Sequence, residues 1–302
     1  MQCINVMHCI GGLRLQQVIA EIDGRIQRLN LPDERISVWP GLVWGRFDEP
    51  LTPAFWVSQA WMAEPDNAMR YQLGKTLEEE VVYCLLGAHG APAEIGLAAS
   101  RRVCSFLRAR PEWKPNSTEL ERLLREPLVV NGRARAVRYR FAAQRARYLA
   151  DTLKALAEAD FDCLGDVALR DALRQLPGIG PKTASWIVRN WRASDHVAIL
   201  DVHIVRACAA IGIFPTGAQP ARRYLDLEQR FLAFCDATHS RASAMDAVMW
   251  STMRSLSRPL LQQLIDHAAQ FTQRAQGEQS GNKPCPDQMT PAMMVQAPVA
   301  VQ

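Results

Sequence analysis

No two of the eight cysteines stand at the C-x-x-C spacing, and none form the two-plus-two pattern that holds structural zinc. Cys3, Cys9, Cys84, Cys104, Cys163, Cys208, Cys235 and Cys285 read instead as reduced core thiols, and no metal site is expected. There is no run of about 18 uninterrupted apolar residues, so no membrane-spanning helix is expected. Met1 to Ile10 is not followed by a basic stretch and a long apolar one, so a cytoplasmic location is expected rather than export. No internal repeat is evident. Between Asn131 and Tyr148 there is no acidic residue, although Arg133, Arg135, Arg138, Arg140, Arg145 and Arg147 all fall there. That stretch is either a phosphate-contacting stripe or a solvated helix face.

The 302 residues, 48% of them hydrophobic, are enough for two domains or one large one with a substantial core. Net charge is +4 and the sequence pI is about 8.7, mildly basic for the chain as a whole. Local charge is therefore more informative than the total.

The most informative stretch is Leu176-Pro177-Gly178-Ile179-Gly180-Pro181-Lys182-Thr183-Ala184. Before it, Leu169, Ala172, Leu173 and Leu176 recur at helical spacing. After it, Ala184, Ile187, Val188 and Trp191 do the same. The pattern is a helix-hairpin-helix. Gly178 and Gly180 allow a sharp turn, and Pro181 suits a first helical position. Backbone N–H groups at the new N-terminus would be free to hold a phosphate oxygen. Lys182 falls opposite the apolar stripe, on one face with Ser185, Trp186 and Arg189. A tryptophan there suggests a face that lines a cleft; the plainer alternative is a surface lysine beside a Trp packed on the other domain. Asp201 follows Lys182 by 19 positions and would cap a helix starting at Val202.

Taken together, these residues resemble the helix-hairpin-helix (HhH-GPD) superfamily of DNA glycosylases. The run Asp195-His196-Val197-Ala198-Ile199-Leu200-Asp201-Val202-His203 is most similar to the 8-oxoguanine DNA glycosylase branch. The resemblance implies a mainly α, two-lobed fold with the hairpin bordering the active-site cleft. Residues 1–75 would pair with 201–275 as one lobe, residues 76–200 would form the helical barrel lobe with the hairpin at 165–192, and 276–302 would be a disordered tail. It also implies that Lys182 is the catalytic lysine and Asp201 the essential aspartate, facing each other across the cleft. Gly178, Gly180, Thr183, Arg138 and Arg145 would hold the DNA backbone. His89 would occupy the position of the residue that wedges into the duplex, although relatives usually carry Gln or Asn there. Trp186, Asp246, Trp250 and His203 would border the extruded base, with an exposed helix aspartate as the plainer reading of Asp246. No iron-sulfur cluster is expected, since Cys208, Cys235 and Cys285 lie far apart, and no cofactor is required beyond a monovalent cation that the hairpin could hold. The implied partner is double-stranded DNA with a damaged or modified base, bound by a monomer.

Elsewhere the pattern gives a coarse layout. Residues 13–29 read as an amphipathic helix through Leu15, Val18, Ile19, Ile22, Ile26 and Leu29. Residues 36–61, with four of the eight tryptophans and several prolines, read as irregular or short-stranded, their aromatics as core. Thr76-Leu77-Glu78-Glu79 is a capping box opening a helix that should stop at His89-Gly90. Further helices are expected from Pro92 to Arg108, Ser117 to Arg125 and Arg135 to Ala157, and at 202–211, 220–236, 241–256 and 259–274.

An enzyme that cuts an N-glycosidic bond in a duplex must extrude the base and hold the bent backbone. Lys182 would attack C1′ as a neutral amine, favoured by a first-turn helix position and burial beside Trp186, and β-elimination would then nick the strand. Oxidised guanine is the favoured base, with another damaged or hypermodified base open. Two alternatives also remain at this point: a monofunctional glycosylase in which Asp201 directs water, and a non-enzymatic module that uses the hairpin as a backbone clamp.

Overall fold

The computed structural model describes residues 4–10, 13–63, 71–87, 90–132, 134–215, 217–257 and 259–266. The expected tail at 276–302 and the expected wedge residue His89 lie outside them. The chain is mainly helical and divides into two compact units, one made of residues 1–68 with 200–302 and the other of residues 69–199. The sequence reading put these boundaries at 76 and 200.

The first unit begins with strands β1 (Ile4–Ile10), β2 (Leu13–Ile22) and β3 (Arg25–Pro32), paired antiparallel in that order. The helix expected over 13–29 is therefore a hairpin. Its turn is Asp23-Gly24, both with positive φ (51° and 73°), which matches the right-handed twist of the flanking strands. The buried residues of β2 are Gln16, Val18, Ala20 and Ile22, a period of two. The helical reading failed because Leu15 and Ile19 supplied a competing period on the other face. It also missed that a buried polar residue, Gln16, belongs to the core face: its amide donates to Pro32 O (2.9 Å) and Gly45 O (2.8 Å) and accepts from Phe47 N (3.0 Å).

Residues 36–61 hold the short strands β4 (Ser37–Trp39) and β5 (Leu42–Val43), but also helix α1 (Pro53–Ala63), where Pro53 opens a helix instead of breaking one. Trp44 and Trp56 are core residues, and Trp39 meets Phe234 edge to face at 6.5 Å. The rest of this unit is α8 (Val202–Ala210), α9 (Pro220–Ala237) and α10 (Ala242–Ser255), with helix again at 259–266. Helix α10 packs on both α1 and α8.

In the second unit α2 (Leu77–Leu86) is the central rod, buried at eight of its ten positions and packed by α3 (Ala93–Ala109), α5 (Ala142–Glu158) and α7 (Pro181–Arg192). α4 (Ser117–Arg125) lies on α5, and α6 (Asp166–Leu173) on α7. Helix α2 ends at Leu86 rather than at His89. Thr76 caps it by accepting from Glu79 N at 3.4 Å, but the Glu79 carboxylate accepts from Lys75 N (2.8 Å) and is held by a forked pair of bonds from Arg108 (2.5 and 2.6 Å). The expected reciprocal bond to Thr76 is not made. Helix α5 starts at Ala142, not Arg135, because Val137 pairs with Leu128 in an antiparallel bridge that holds the preceding residues extended. The cysteines are core thiols at Cys84, Cys104, Cys208 and Cys235, whereas Cys163 is exposed.

Glu80 is fully buried inside this unit. Its Oε2 accepts from Leu73 N and Gly74 N, both at 2.8 Å, and Oε1 accepts from Asn190 Nδ2 at 3.2 Å, tying the entry of the unit and helix α7 to α2. Burial raises the Glu80 carboxyl above its ordinary value, whereas the Arg108 bond lowers its neighbour Glu79.

The two carboxylates therefore act oppositely. The contribution of Glu80 is complete below the unfolded value of 4.5 and is lost as pH rises through the raised one; that of Glu79 is lost as pH falls. Thermal melts from about pH 4 to pH 8 should show Glu80→Gln gaining on wild type as pH rises. Glu80→Ala, which strands two buried N–H groups, should cost roughly 3 kcal/mol; a parallel wild-type and Glu80→Gln profile would contradict the assignment.

Candidate active site and DNA-contacting face

The hairpin runs from α6 through residues 174–180 into α7. Its turn is pinned by Ile179, 3% exposed, whose N–H donates to Leu176 O (3.2 Å). Gly178 has φ +78°, and a Cβ there would stand 2.2 Å from Cδ2 of Tyr148, so the turn touches the aromatic ring of α5. Gly180 differs from expectation: it is extended (φ −83°, ψ 175°) and serves as the N-cap of α7, with open space around it. No side chain caps α7, so the N–H groups after Pro181 remain available at its N-terminus. This end of the helix is also the positive end of its dipole.

Lys182, at the second position of α7, is exposed, and Thr183 beside it is half-buried. The burial expected for Lys182 beside Trp186 is not present. Of the face it shares, Ser185 and Arg189 are buried and Trp186 is half-buried against the core. The cover comes from Tyr71, whose ring lies 4.3 Å from the Arg189 guanidinium, and from α2, whose Gly87 approaches the Trp186 ring. Lys182 itself makes no ion pair or hydrogen bond among the described residues.

The arginine stretch lies beside the hairpin, because Tyr148 on α5 is the residue that Gly178 touches. Arg135, Arg138 and Arg140 are exposed but precede α5, so the stripe is not the single helix face expected; Arg133 lies outside the described residues. Arg147 is exposed on α5. Arg145 is half-buried, its guanidinium 6.0 Å from the Tyr148 ring and its Nε buried without a partner, so it is less available to a phosphate than the exposed arginines. Burial pushes the Tyr139 hydroxyl up to about 12, and that hydroxyl donates to Leu86 O at 2.7 Å. At the rear of α7, Arg192 donates to the carbonyls of Phe161, Asp162 and Leu164 and pairs with Asp166 at 3.3 Å. A cavity of about 310 Å³ lined by Trp191, Phe161, Leu156, Lys75 and Asp160 lies at that same rear end, roughly 14 Å along the helix from Lys182. It is therefore remote from the hairpin.

In the other unit, Asp201 is the N-cap of α8 (φ −92°, ψ −176°) and accepts from His203 N (2.8 Å) and Ile204 N (3.0 Å). Both bonds fall on Oδ1, and Oδ2 accepts none among the described residues. His203 is half-buried, its Nδ1 enclosed without a hydrogen-bond partner. Asp246 is 2% exposed and engaged within the protein, not the exposed helix aspartate that was the plainer expectation. Trp250 is 38% exposed, with the Arg254 guanidinium 4.5 Å above its ring. Sequence reasoning missed Tyr148 and Arg254. Each is four residues from a residue it contacts or its neighbour on a helix, Gln144 and Trp250, and that spacing was the available signal.

The profile of the 8-oxoguanine DNA glycosylase family matches residues 62–240, which span the hairpin, Lys182 and Asp201. The chain belongs to that family. The glycosylase is similar in fold to the 8-oxoguanine DNA glycosylase of Thermotoga maritima, with 24% identity and a TM-score of 0.50 over 67% of this chain and 95% of that one. Similarity extends to the Methanocaldococcus jannaschii 8-oxoguanine glycosylase/lyase in complex with DNA containing 8-oxoguanine (21% identity, TM-score 0.45, 68% and 91% covered). A further match is the Clostridium acetobutylicum 8-oxoguanine glycosylase/lyase in complex with DNA (12% identity, TM-score 0.43, 83% and 88% covered). The family makes this a DNA-binding enzyme of base-excision repair, so the alternative of a non-enzymatic module falls away. No helix among the described residues is long and apolar enough to cross a membrane.

The Gly178–Tyr148 contact can be isolated by mutation. Gly178→Ala should destabilise the enzyme by about 2 kcal/mol or more, from the positive φ and from overlap with the ring. Adding Tyr148→Ala should recover part of that loss, so denaturant melts of the two single variants and the double should be clearly non-additive. Strict additivity would mean that the ring does not limit the turn.

Proposed function

We propose that this enzyme releases oxidised guanine from duplex DNA and nicks the strand through a covalent intermediate on Lys182. The observation that carries the reading is a lysine with no internal partner, at the second position of an uncapped helix that follows a glycine turn. The open N–H groups of that helix suit a phosphate oxygen, which sets the hairpin on the backbone and brings the lysine with it. Gly178, Gly180 and Thr183 provide the grip, and Arg138 before α5 and Arg147 on it extend it. Bound DNA supplies the enclosure that the free protein does not give Lys182.

The chemistry balances without a cofactor. The neutral Nζ attacks C1′ of the extruded nucleoside, the N-glycosidic bond breaks, and the base leaves with a proton. Ring opening gives an iminium, loss of a C2′ proton expels the 3′ phosphate, and water then releases the lysine. Positive charge develops on the sugar before the base has left. Asp201, with Oδ2 unoccupied, is the carboxylate we assign to stabilise it, as a preorganised opposite charge does in a water-poor site. One oxygen of that side chain holds helix α8, and the other acts on the substrate. Trp186, Trp250, His203 and Asp246 are assigned to the surroundings of the base; of these, Trp250 offers the most exposed ring.

Borohydride should trap a covalent adduct between wild type and a duplex carrying 8-oxoguanine opposite cytosine, and Lys182→Gln should give none. Base release without nicking by wild type would point instead to water directed by Asp201. Asp201→Asn preserves the cap, because asparagine caps helices as well as aspartate does, so its melting temperature should stay close to wild type. Its excision rate should nevertheless fall roughly 100-fold or more. Faster release of oxidised pyrimidines than of 8-oxoguanine would reject the assigned base.

A further inference from the structure

Val129 is 86% exposed, the most exposed of the large apolar residues described, and it stands just before the arginine-rich stretch. The chain there is a short antiparallel ladder. Leu128 and Val137 exchange hydrogen bonds of 2.7 and 2.9 Å, and burial alternates along both arms. Leu128, Val130 and Tyr139 point inward at 2%, 6% and 4% exposure, whereas Val129, Ala136, Arg138 and Arg140 are outward and exposed. The register of the Leu128–Val137 pair, continued by one residue, sets Val129 opposite Ala136 and makes Arg138 its diagonal neighbour on the same side. The base of the ladder is fixed, since Arg102 donates to Glu126 O and Pro127 O, both at 2.7 Å. No acidic residue occurs from Pro127 to Ala150.

An exposed valine whose outward neighbours are an arginine and an alanine, with a second arginine further along the same arm, does not suit a protein partner, which would have to cover the cations along with it. It suits a polyanion with apolar facets. Duplex DNA provides phosphates on the backbone and, in the minor groove, sugar edges and base steps that apolar side chains contact or wedge apart. We propose that the outward face of this ladder is a second DNA contact of the enzyme, in which Val129 presses into the minor groove while Arg138 beside it and Arg140 further along the same arm hold phosphates. The inference rests on the reading of the protein as a DNA glycosylase that grips duplex through its hairpin. Its position is favourable: the ladder feeds directly into α5, whose Tyr148 packs on the hairpin turn.

Salt separates the apolar contact from the charged one. An arginine on a phosphate displaces counterions and steepens the salt dependence of binding; a valine does not. Anisotropy titrations of a labelled duplex containing an abasic-site analogue, over a range of salt, should show Val129→Thr weakening binding about 5- to 10-fold with an unchanged salt slope. Arg138→Ala should lower the slope by about one. Threonine is nearly isosteric and the position is exposed, so the melting temperature of Val129→Thr should match wild type. Duplex affinity within two-fold of wild type, or an early melt that marks the valine as structural, would overturn the inference while leaving the glycosylase reading intact. Failure of wild type itself to bind duplex would remove both.

Discussion

The closeness of Gly178 to the Tyr148 ring is the constraint on which the functional face depends. No side chain fits between the hairpin turn and α5, so the turn cannot drift from the helix that carries the neighbouring arginines. The open N–H groups at the start of α7 and the cations before and along α5 are thereby held in one unit, in a fixed relation. A wider turn would still join two helices. It would not fix where the open N-terminus of α7 lies relative to Arg147 and the ladder before α5.

Behind that face the second unit is organised by a buried rod, α2, that carries two adjacent carboxylates with opposite habits. Glu79 is buried beneath the more exposed Arg108 and held charged by its fork; Glu80 turns inward and is pressed by burial toward its neutral form. Glu80 links three parts of the chain far apart in sequence, residues 73–74, α2 and Asn190 on α7. Polar groups this deep are tolerated only when their partners are in place, which makes the arrangement specific as well as stabilising.

The hairpin was readable from sequence because its signals are local: Gly178 for a positive φ, Pro181 for a first helical position, and apolar residues at helical spacing on both sides. The cap at Asp201 was readable for the same reason. What could not be read depends on residues distant along the chain. Ser185 and Arg189 looked like cleft-lining neighbours of Lys182, but Tyr71 and α2 cover them. The first strands imitated a helix because six apolar positions satisfied a 3.6-residue period, while the buried Gln16 and the Asp23-Gly24 turn marked the true period of two. The start of α5 was set too early because the Leu128–Val137 pairing is invisible to a local pattern. Even there charge alone singled out the arginines, of which Arg135, Arg138, Arg140 and Arg147 are exposed, since an absence of acidic residues needs no knowledge of geometry.

Arg192 gathers three carbonyls and a carboxylate at the rear of α7, while Gly178 is lodged against a ring at its front. A helix pinned at both ends has little freedom left to surrender when it meets a nucleic acid. The ordering entropy of the hairpin is thus spent when the chain folds, and encounter with a duplex need only exchange solvent and counterions for phosphate oxygens.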